Sequence, residues 1–237
     1  MAPFGASRAG LMSVAVDDIP DSAILHLDAQ SLTGFNDGQT VSTWSDESTE
    51  GNDLTGSAIY RENGINGNPS LEFDPAQDHG FTGTMTTSLQ PNAVFAVFEW
   101  FRTFDEDDGL YRIFITRDSF TNLDARNTSG DLGWNMFAGQ FFGGSQDAGI
   151  QMLTGLFDGA SSEIRENGVV TNTGDPGSDG TGETAGVGID ADGLSAETTQ
   201  IWEGYIGEIL VIPDPQNHDI ASIESTLMSK WGIGSGN

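Results

Sequence analysis

Short runs of alternating apolar and polar residues fill most of this chain, and Gly, Asn and Asp divide them. Val41-Ser42-Thr43-Trp44-Ser45 alternates as a half-buried strand does, and Ala23–Leu27 and Ser70–Phe73 read as further short strands. Ala93–Phe101 (AVFAVFEWF) is the longest apolar run, which predicts a central strand covered on both faces. Leu110–Thr116, Gly133–Ala138 and Ile150–Phe157 follow at similar spacing, and Tyr205–Ile212 closes at Pro213. Asn167-Gly168, between Ser162–Arg165 and Val169-Val170, predicts a two-residue hairpin, because both residues accept positive φ. Thr171–Gly182, rich in Gly, Asp and Thr, reads as a long surface loop. Only one segment has helical period. Ile220, Ile223, Leu227 and Trp231 share a face, with Asn217 as the expected cap, Asp219 at the positive end and Gly232 at a left-handed exit. Strands so spaced predict an all-β antiparallel sandwich or barrel with one C-terminal amphipathic helix.

Charge changes this picture more than any motif. Asp and Glu number 36 against 8 Lys and Arg, Lys230 is the sole lysine, and the formal net charge is -28. Such acidity can mark disorder, but 14 Phe and 5 Trp provide a core that a disordered chain lacks. A folded chain of this charge repels itself unless salt screens it, so the composition predicts a protein adapted to very high salt. No basic stripe is present to meet phosphates, so nucleic acid is not an expected partner. Cysteine is absent, which removes disulfides, thiol catalysis and cysteine metal sites. No apolar run approaches the ~20 residues of a membrane span. Ala9–Val16 is apolar but short and has only Arg8 before it. It makes a poor signal peptide, and export by the usual secretory route is not expected. Residues 1–16 contain no acid and read as an N-terminal arm, an assembly anchor, ahead of one domain over 17–237.

Four segments carry a family resemblance. They are Trp44-Ser45-Asp46 with Gly51-Asn52-Asp53-Leu54; Asn63 to Asp74; Phe157–Ser161 leading to Asn167-Gly168-Val169; and Gly204–Val211 followed by a helix ending Lys230-Trp231-Gly232-Ile233. Their order and spacing, from about Ile24 to Ile233, resemble the laminin-G-like domains of the concanavalin A-like lectin and glucanase superfamily. The resemblance implies a jelly-roll β-sandwich in which Asn63-Gly64 and Asn66-Gly67 form corners. Phe73, Phe95, Val97, Leu210 and Ile212 are expected on the inner faces of two sheets. The superfamily holds lectins, adhesion and structural modules and some glucanases, so fold alone does not choose a function. The Gly-, Ala- and Ser-rich start, running directly into such a domain, is similar to structural proteins of tailed viruses.

Glucanases of this superfamily carry paired carboxylates alternating on one strand, so that nucleophile and acid face one cleft. No strand here has that pattern. Glu99 is the lone acid of its strand, and Asp105-Glu106-Asp107-Asp108 is a consecutive run whose members splay apart. No catalytic residue is therefore assigned, and the protein is expected not to be an enzyme. Calcium is the one cofactor the acidic loops suggest, at Asp105, Asp107 and Asp108 or at Asp190 and Asp192. A solvated acidic surface explains both clusters, and no metal site is assigned. His26, His79 and His218 are far apart and do not suggest zinc. Core packing is the default for the five tryptophans, Trp134 and Trp202 being the two that a binding rim could use. Phe141-Phe142 reads as a contact patch or a strand end. No binding residues are assigned.

These readings point to a non-enzymatic structural protein on the virion surface of a halophilic virus. Its expected partners are other virion proteins, copies of itself and host surface glycans. A glycan-binding adhesion module of a halophilic cell is the first alternative and a glycoside hydrolase the second.

Overall fold

A computed structural model describes residues 19–85, 91–101, 109–117, 121–128, 131–137, 141–143, 149–177, 184–189 and 201–234. The N-terminal arm, the loop acids Asp105, Asp107, Asp108, Asp190 and Asp192, and the side chains of Phe141 and Phe142 lie outside what is described.

The described residues form fifteen strands and one α-helix. These are β1 (Leu25–Asp28), β2 (Thr40–Trp44), β3 (Leu54–Arg61), β4 (Ser70–Phe73), β5 (Gly80–Thr84), β6 (Asn92–Trp100), β7 (Gly109–Arg117) and β8 (Asn122–Thr128). β9 (Asp131–Phe137), β10 (Phe141–Gly143), β11 (Gly149–Phe157), β12 (Ser162–Glu166), β13 (Val169–Gly174), β14 (Thr184–Val187), β15 (Gly204–Pro213) and the helix α1 (Ile220–Trp231) follow. Every pairing among the described residues is antiparallel, in the order β10-β9-β8-β7-β14-β5-β3-β4-β15-β6-β11-β12-β13, with β1 beside β15 and β2 beside β3. β3 turns the corner. Its first half pairs with β5 and its second half with β4, so the sheet folds back on itself as a jelly-roll sandwich.

One apolar cluster fills the space between the two layers. Val94, Ala96, Phe98 and Trp100 of β6 and Ile206, Ile209 and Val211 of β15 meet Ile113 and Phe114 of β7 and Trp134 and Met136 of β9. Trp44, Trp134 and Trp202 are fully buried in it, and Phe98 packs edge-on against Trp134 and Trp202 with ring centroids 5.1 Å apart in each case. The two tryptophans that a rim could have claimed are therefore core residues.

A second cluster lies on the outer face of the same central strands. Phe95 and Val97 of β6, Leu210 and Ile212 of β15 and Met152 of β11 pack beneath Ile223, Leu227, Met228 and Trp231 of α1. This corrects the expectation that Phe95, Val97, Leu210 and Ile212 face the other sheet; of that group only Phe73 does. A strand buried on both faces reads as a continuous apolar run, and period 2 then cannot say which residues face which layer.

The cap of α1 also differs from expectation. Asn217 belongs to a 3-10 turn over Pro215–Asn217, and the Asp219 carboxylate accepts the Ser222 N–H at 3.1 Å. Asp219 immediately precedes the first helical residue, where a side-chain oxygen reaches the free amides. The exit is as expected, with Gly232 at φ 65°. Asn66, one of the expected corners at φ 49°, reaches across to donate to the Trp231 and Gly232 carbonyls at 2.8 and 3.1 Å. The second and fourth segments of the family resemblance are thus in contact. The first is a loop tied to β1. The Asp46 carboxylate accepts the backbone N–H groups of His26, Ser48 and Asn52 at 2.7 to 2.9 Å.

Asn167-Gly168 forms the expected hairpin, with φ of 49° and 80°. Beyond it, however, residues 169–174 form β13 rather than the start of a loop. Every residue from Val169 to Thr173 is exposed, so this strand has no buried alternation to reveal it.

Helix docking depends on one small residue. Gly207 stands at a β-bulge in β15, and a Cβ there would lie 2.6 to 2.9 Å from three ring atoms of Trp231. Gly207→Ala should displace that indole and destabilise the protein by about 1–3 kcal/mol. A thermal melt in molar salt would measure the loss, and an unchanged melting temperature would refute this account of how the helix is seated.

Candidate functional site

Two polar constellations stand out against this framework. The first is internal. Glu208 of β15 is 1% exposed, and its carboxylate is enclosed by donors. His26 Nε2 lies 2.7 Å from Oε1, and Lys230 Nζ and Trp231 Nε1 lie 2.7 and 2.6 Å from Oε2. Lys230 also donates to Asp28 Oδ2 at 2.7 Å. β1, β15 and α1 are thus tied at one point. Burial pushes the Glu208 carboxyl up, but the His26 hydrogen bond and the Lys230 charge outweigh it and hold the group below the usual range. Burial and the Glu208 charge raise Asp28, against the pull of Lys230. Burial would lower the Lys230 ammonium, yet Glu208 and Asp28 raise it.

His26, Asp28 and Glu208 each offer a ligand atom, and these atoms lie within 4.8 Å of one another. Sequence reasoning assigned no metal site and did not connect His26 to any acid. In the fold the ammonium of Lys230 bridges Asp28 and Glu208, so a lysine already takes the place a cation would fill between the carboxylates. A pocket of about 350 Å³ opens over this cluster, lined in part by Asp21, Glu47, Thr49 and Thr226.

The second constellation is on the surface. α1 covers only part of the outer face of β6, β11 and β15. On the remainder, strand register aligns Thr40, Ile59, Glu72, Tyr205, Glu99 and Ile150 in one row across six adjacent strands. Directly paired residues of antiparallel strands project to the same side, so these side chains share one surface. Phe101 lies just beyond β6 and is 45% exposed, with its ring edge-on to Tyr205 at 4.6 Å between centroids. Towards β3 the row opens into a cleft of about 320 Å³ lined by Ser57, Arg61, Asp74, Gln77 and His79 among others.

Electrostatics of this face are acidic but organised. Arg61 donates through Nε to Glu72 and lies 3.6 Å from Asp37, and the Glu72 hydrogen bond raises its affinity for its proton. Burial raises the carboxyl of Glu99 and, with Glu72 nearby, the phenol of Tyr205. Burial lowers His79, whose Nδ1 accepts the Asp74 N–H at 3.1 Å. Glu99 is therefore the lone acid only along its own strand. Glu72 faces it across Tyr205, two strand spacings of about 4.8 Å away. Residues 72, 99 and 205 are distant in sequence, and only the pairing register brings them together.

The remaining described histidine, His218, pairs with the Ser22 hydroxyl at 3.3 Å, away from both constellations. All four basic residues whose side chains are described are committed to carboxylates. Besides Arg61 and Lys230, Arg112 bonds Asp124 at 2.7 Å, and Arg165 bonds Glu224 at 2.8 and 3.0 Å.

No protein-family model and no curated protein matches the chain. Solved structures do resemble it. A tryptophan-to-alanine mutant of HCR/D aligns over 88% of this chain and 52% of its own length, with TM-score 0.61 and 13% identity. The binding domain of botulinum neurotoxin serotype D/C VPI 5993 aligns over 87% of this chain and 52% of its own, with TM-score 0.59 and 13% identity. Trypanosoma rangeli sialidase in complex with sialic acid aligns over 92% of this chain but 35% of its own, with TM-score 0.52 and 11% identity. The chain spans about half of the first two of these structures and about a third of the sialidase. At such identity the likeness establishes a shared β-sandwich fold. No described helix is long and apolar enough to cross a membrane.

Proposed function

We propose that this chain is a non-enzymatic, lectin-like module that binds uncharged glycans on the open face of its outer sheet in concentrated salt. The observation that carries the reading is the Phe101–Tyr205 pair, flanked in register by Glu72 and Glu99. A half-exposed aromatic pair offers an apolar platform for a sugar ring, and fixed carboxylates on either side accept hydrogen bonds from its hydroxyls. Sialic acid is bound in one of the similar structures, but an anionic sugar is disfavoured here. Arg61, the described cation of the face, is already held by Glu72 and Asp37. We further propose that the module needs no cofactor and is displayed on a virion surface, with the acid-free residues 1–16 engaging neighbouring virion proteins.

A glycan array in molar salt tests the binding. Phe101→Ala or Tyr205→Ala should weaken the best neutral glycan about tenfold, with the melting temperature little changed at Phe101. Absence of any glycan binding would remove the reading. Release of reducing ends, abolished by both Glu72→Gln and Glu99→Gln, would replace it with a hydrolase acting through that pair. Incorporation into particles after removal of residues 1–16, at the level of the intact chain, would end the anchoring proposal.

A further inference from the structure

The cleft beside β3 is continuous with the surface that carries the aromatic pair, and its origin lies in the strand order. Ser57, Ile59 and Arg61 alternate along β3 and project to one side. Ile59 pairs with Glu72 of β4, whereas Ser57 pairs with Gly80 of β5. β3 therefore changes partner between these two residues, and the chain linking β4 to β5 makes a 3-10 turn at Pro75–Gln77. A gap opens where the two partners part. Ile59 lines it together with Asp74, the exposed Gln77 and the buried His79. Its volume of about 320 Å³ is at the lower end of the range for small-molecule sites.

Glu72 is common to both places, since it borders the cleft and pairs with Tyr205. From Glu99 through Tyr205, Glu72 and Ile59 to Thr40, the row crosses β6, β15, β4, β3 and β2, a length of roughly 19 Å at about 4.8 Å per strand spacing. Carbon and oxygen surfaces alternate along it. Tyr205 and Ile59 offer apolar area, and Glu99, Glu72 and Thr40 offer acceptors. A chain of sugars has the same alternation, because each ring presents C–H faces and hydroxyl edges. Polar groups in the cleft are available to it. Among the described residues no hydrogen bond holds the Ser57 hydroxyl or the Gln77 amide, and Arg61 takes only Oε2 of Glu72.

We infer that the open face takes a linear chain of about four neutral sugar units, roughly one per strand spacing, running across the strands from the Phe101–Tyr205 platform into the cleft. The inference rests on the glycan-binding reading above and names the ligand's shape. A single terminal sugar would cover the platform and leave the cleft unfilled. Glu72, Asp74 and Glu99 along the path favour an uncharged chain over an anionic one. α1 covers the neighbouring part of the sheet, which favours a chain without a branch on that side.

Length series from one to six units of β-1,4-linked glucose, β-1,4-linked mannose, β-1,3-linked glucose and α-1,4-linked glucose, added to the array in molar salt, test this. In the series that binds, affinity should rise at least about tenfold from one unit to four and then level off. Ser57→Ala/Gln77→Ala removes two hydrogen-bonding side chains from the cleft. It should weaken the four-unit chain about tenfold and leave the single unit unchanged. The length series on the unaltered chain decides the matter if that variant does not fold. A single unit bound as tightly as four, a preference for other or branched glycans over every length series, or a folded double variant that binds the four-unit chain as the wild type does would each overturn the inference and leave the platform reading standing. Binding of no glycan at all would remove both.

Discussion

Lys230→Met should be the most damaging single substitution at a polar position, lowering stability by about 3–5 kcal/mol. The size follows from what remains behind. Glu208 is 1% exposed and Asp28 only partly exposed, and both accept from the ammonium at 2.7 Å. Methionine fills the volume of the stem but leaves two carboxylates close together without their shared cation. For a domain of this length, that loss corresponds to a fall in melting temperature of roughly 6–20 °C. Glu208→Gln should cost less, since an amide oxygen can still accept from Trp231 and Lys230 keeps Asp28. The pH dependence gives a second readout. The folded-state pKa of Lys230 is raised, so its contribution is complete below the unfolded value near 10.4 and is lost as pH climbs through the folded one. Glu208 has the opposite sign. Its folded pKa is lowered, so its contribution is present above about 4.3 and disappears on acidification through the folded value. Melting temperature against pH for the wild type and Lys230→Met should therefore converge on the alkaline side. A variant that melts with the wild type at neutral pH would show that the bridge does not hold β1, β15 and α1 together.

That bridge also marks where the sequence stops being informative. Strand formers, turn residues and the helical stripe sufficed for an all-β sandwich with one helix, because each depends on residues within a few positions of one another. Glu208 sits inside the apolar run Tyr205–Ile212, where nothing nearby in sequence could neutralise its charge. Its partners are 182 and 22 residues away, and no local pattern predicts them. The open face has the same character, since Glu72, Tyr205 and Glu99 become neighbours only through register. Signals were nevertheless present. A sole lysine and a buried-strand glutamate in so acidic a chain are candidates for each other. Phe101, at the end of an otherwise buried run, is the position where that run emerges. The failure to place Phe95 and Leu210 correctly has a single cause. Once a helix covers the second face of a strand, both faces become apolar, and the alternation that orients a side chain is erased.

Transfer from molar salt to dilute buffer should unfold the protein cooperatively, with a larger loss than any substitution above. Net charge is -28, and the four basic side chains described are each paired with carboxylates of the same chain. Acids such as Asp21, Glu47, Asp53, Glu62 and Asp78 remain on the exposed surface. At about 0.1 M salt the screening length is about 10 Å and these charges act on one another; at 1 M it is about 3 Å and they do not. The ion pairs around Glu208, Asp124 and Glu224 are buried and respond little to salt, so they cannot offset the surface term. Melting temperature should accordingly climb steadily with salt concentration, and neutralising three or four of the exposed acids to Asn or Gln should move the whole curve to lower salt. The form of the rescue separates two causes. If charge screening is responsible, sodium and potassium chloride act alike and only at high concentration. If millimolar calcium alone restores the fold, a specific cation site is responsible, and the acidic surface is a set of ligands rather than a repulsive shell. A protein equally stable in dilute buffer would contradict both, and would mean that its carboxylates are compensated by contacts other than the ion pairs named here.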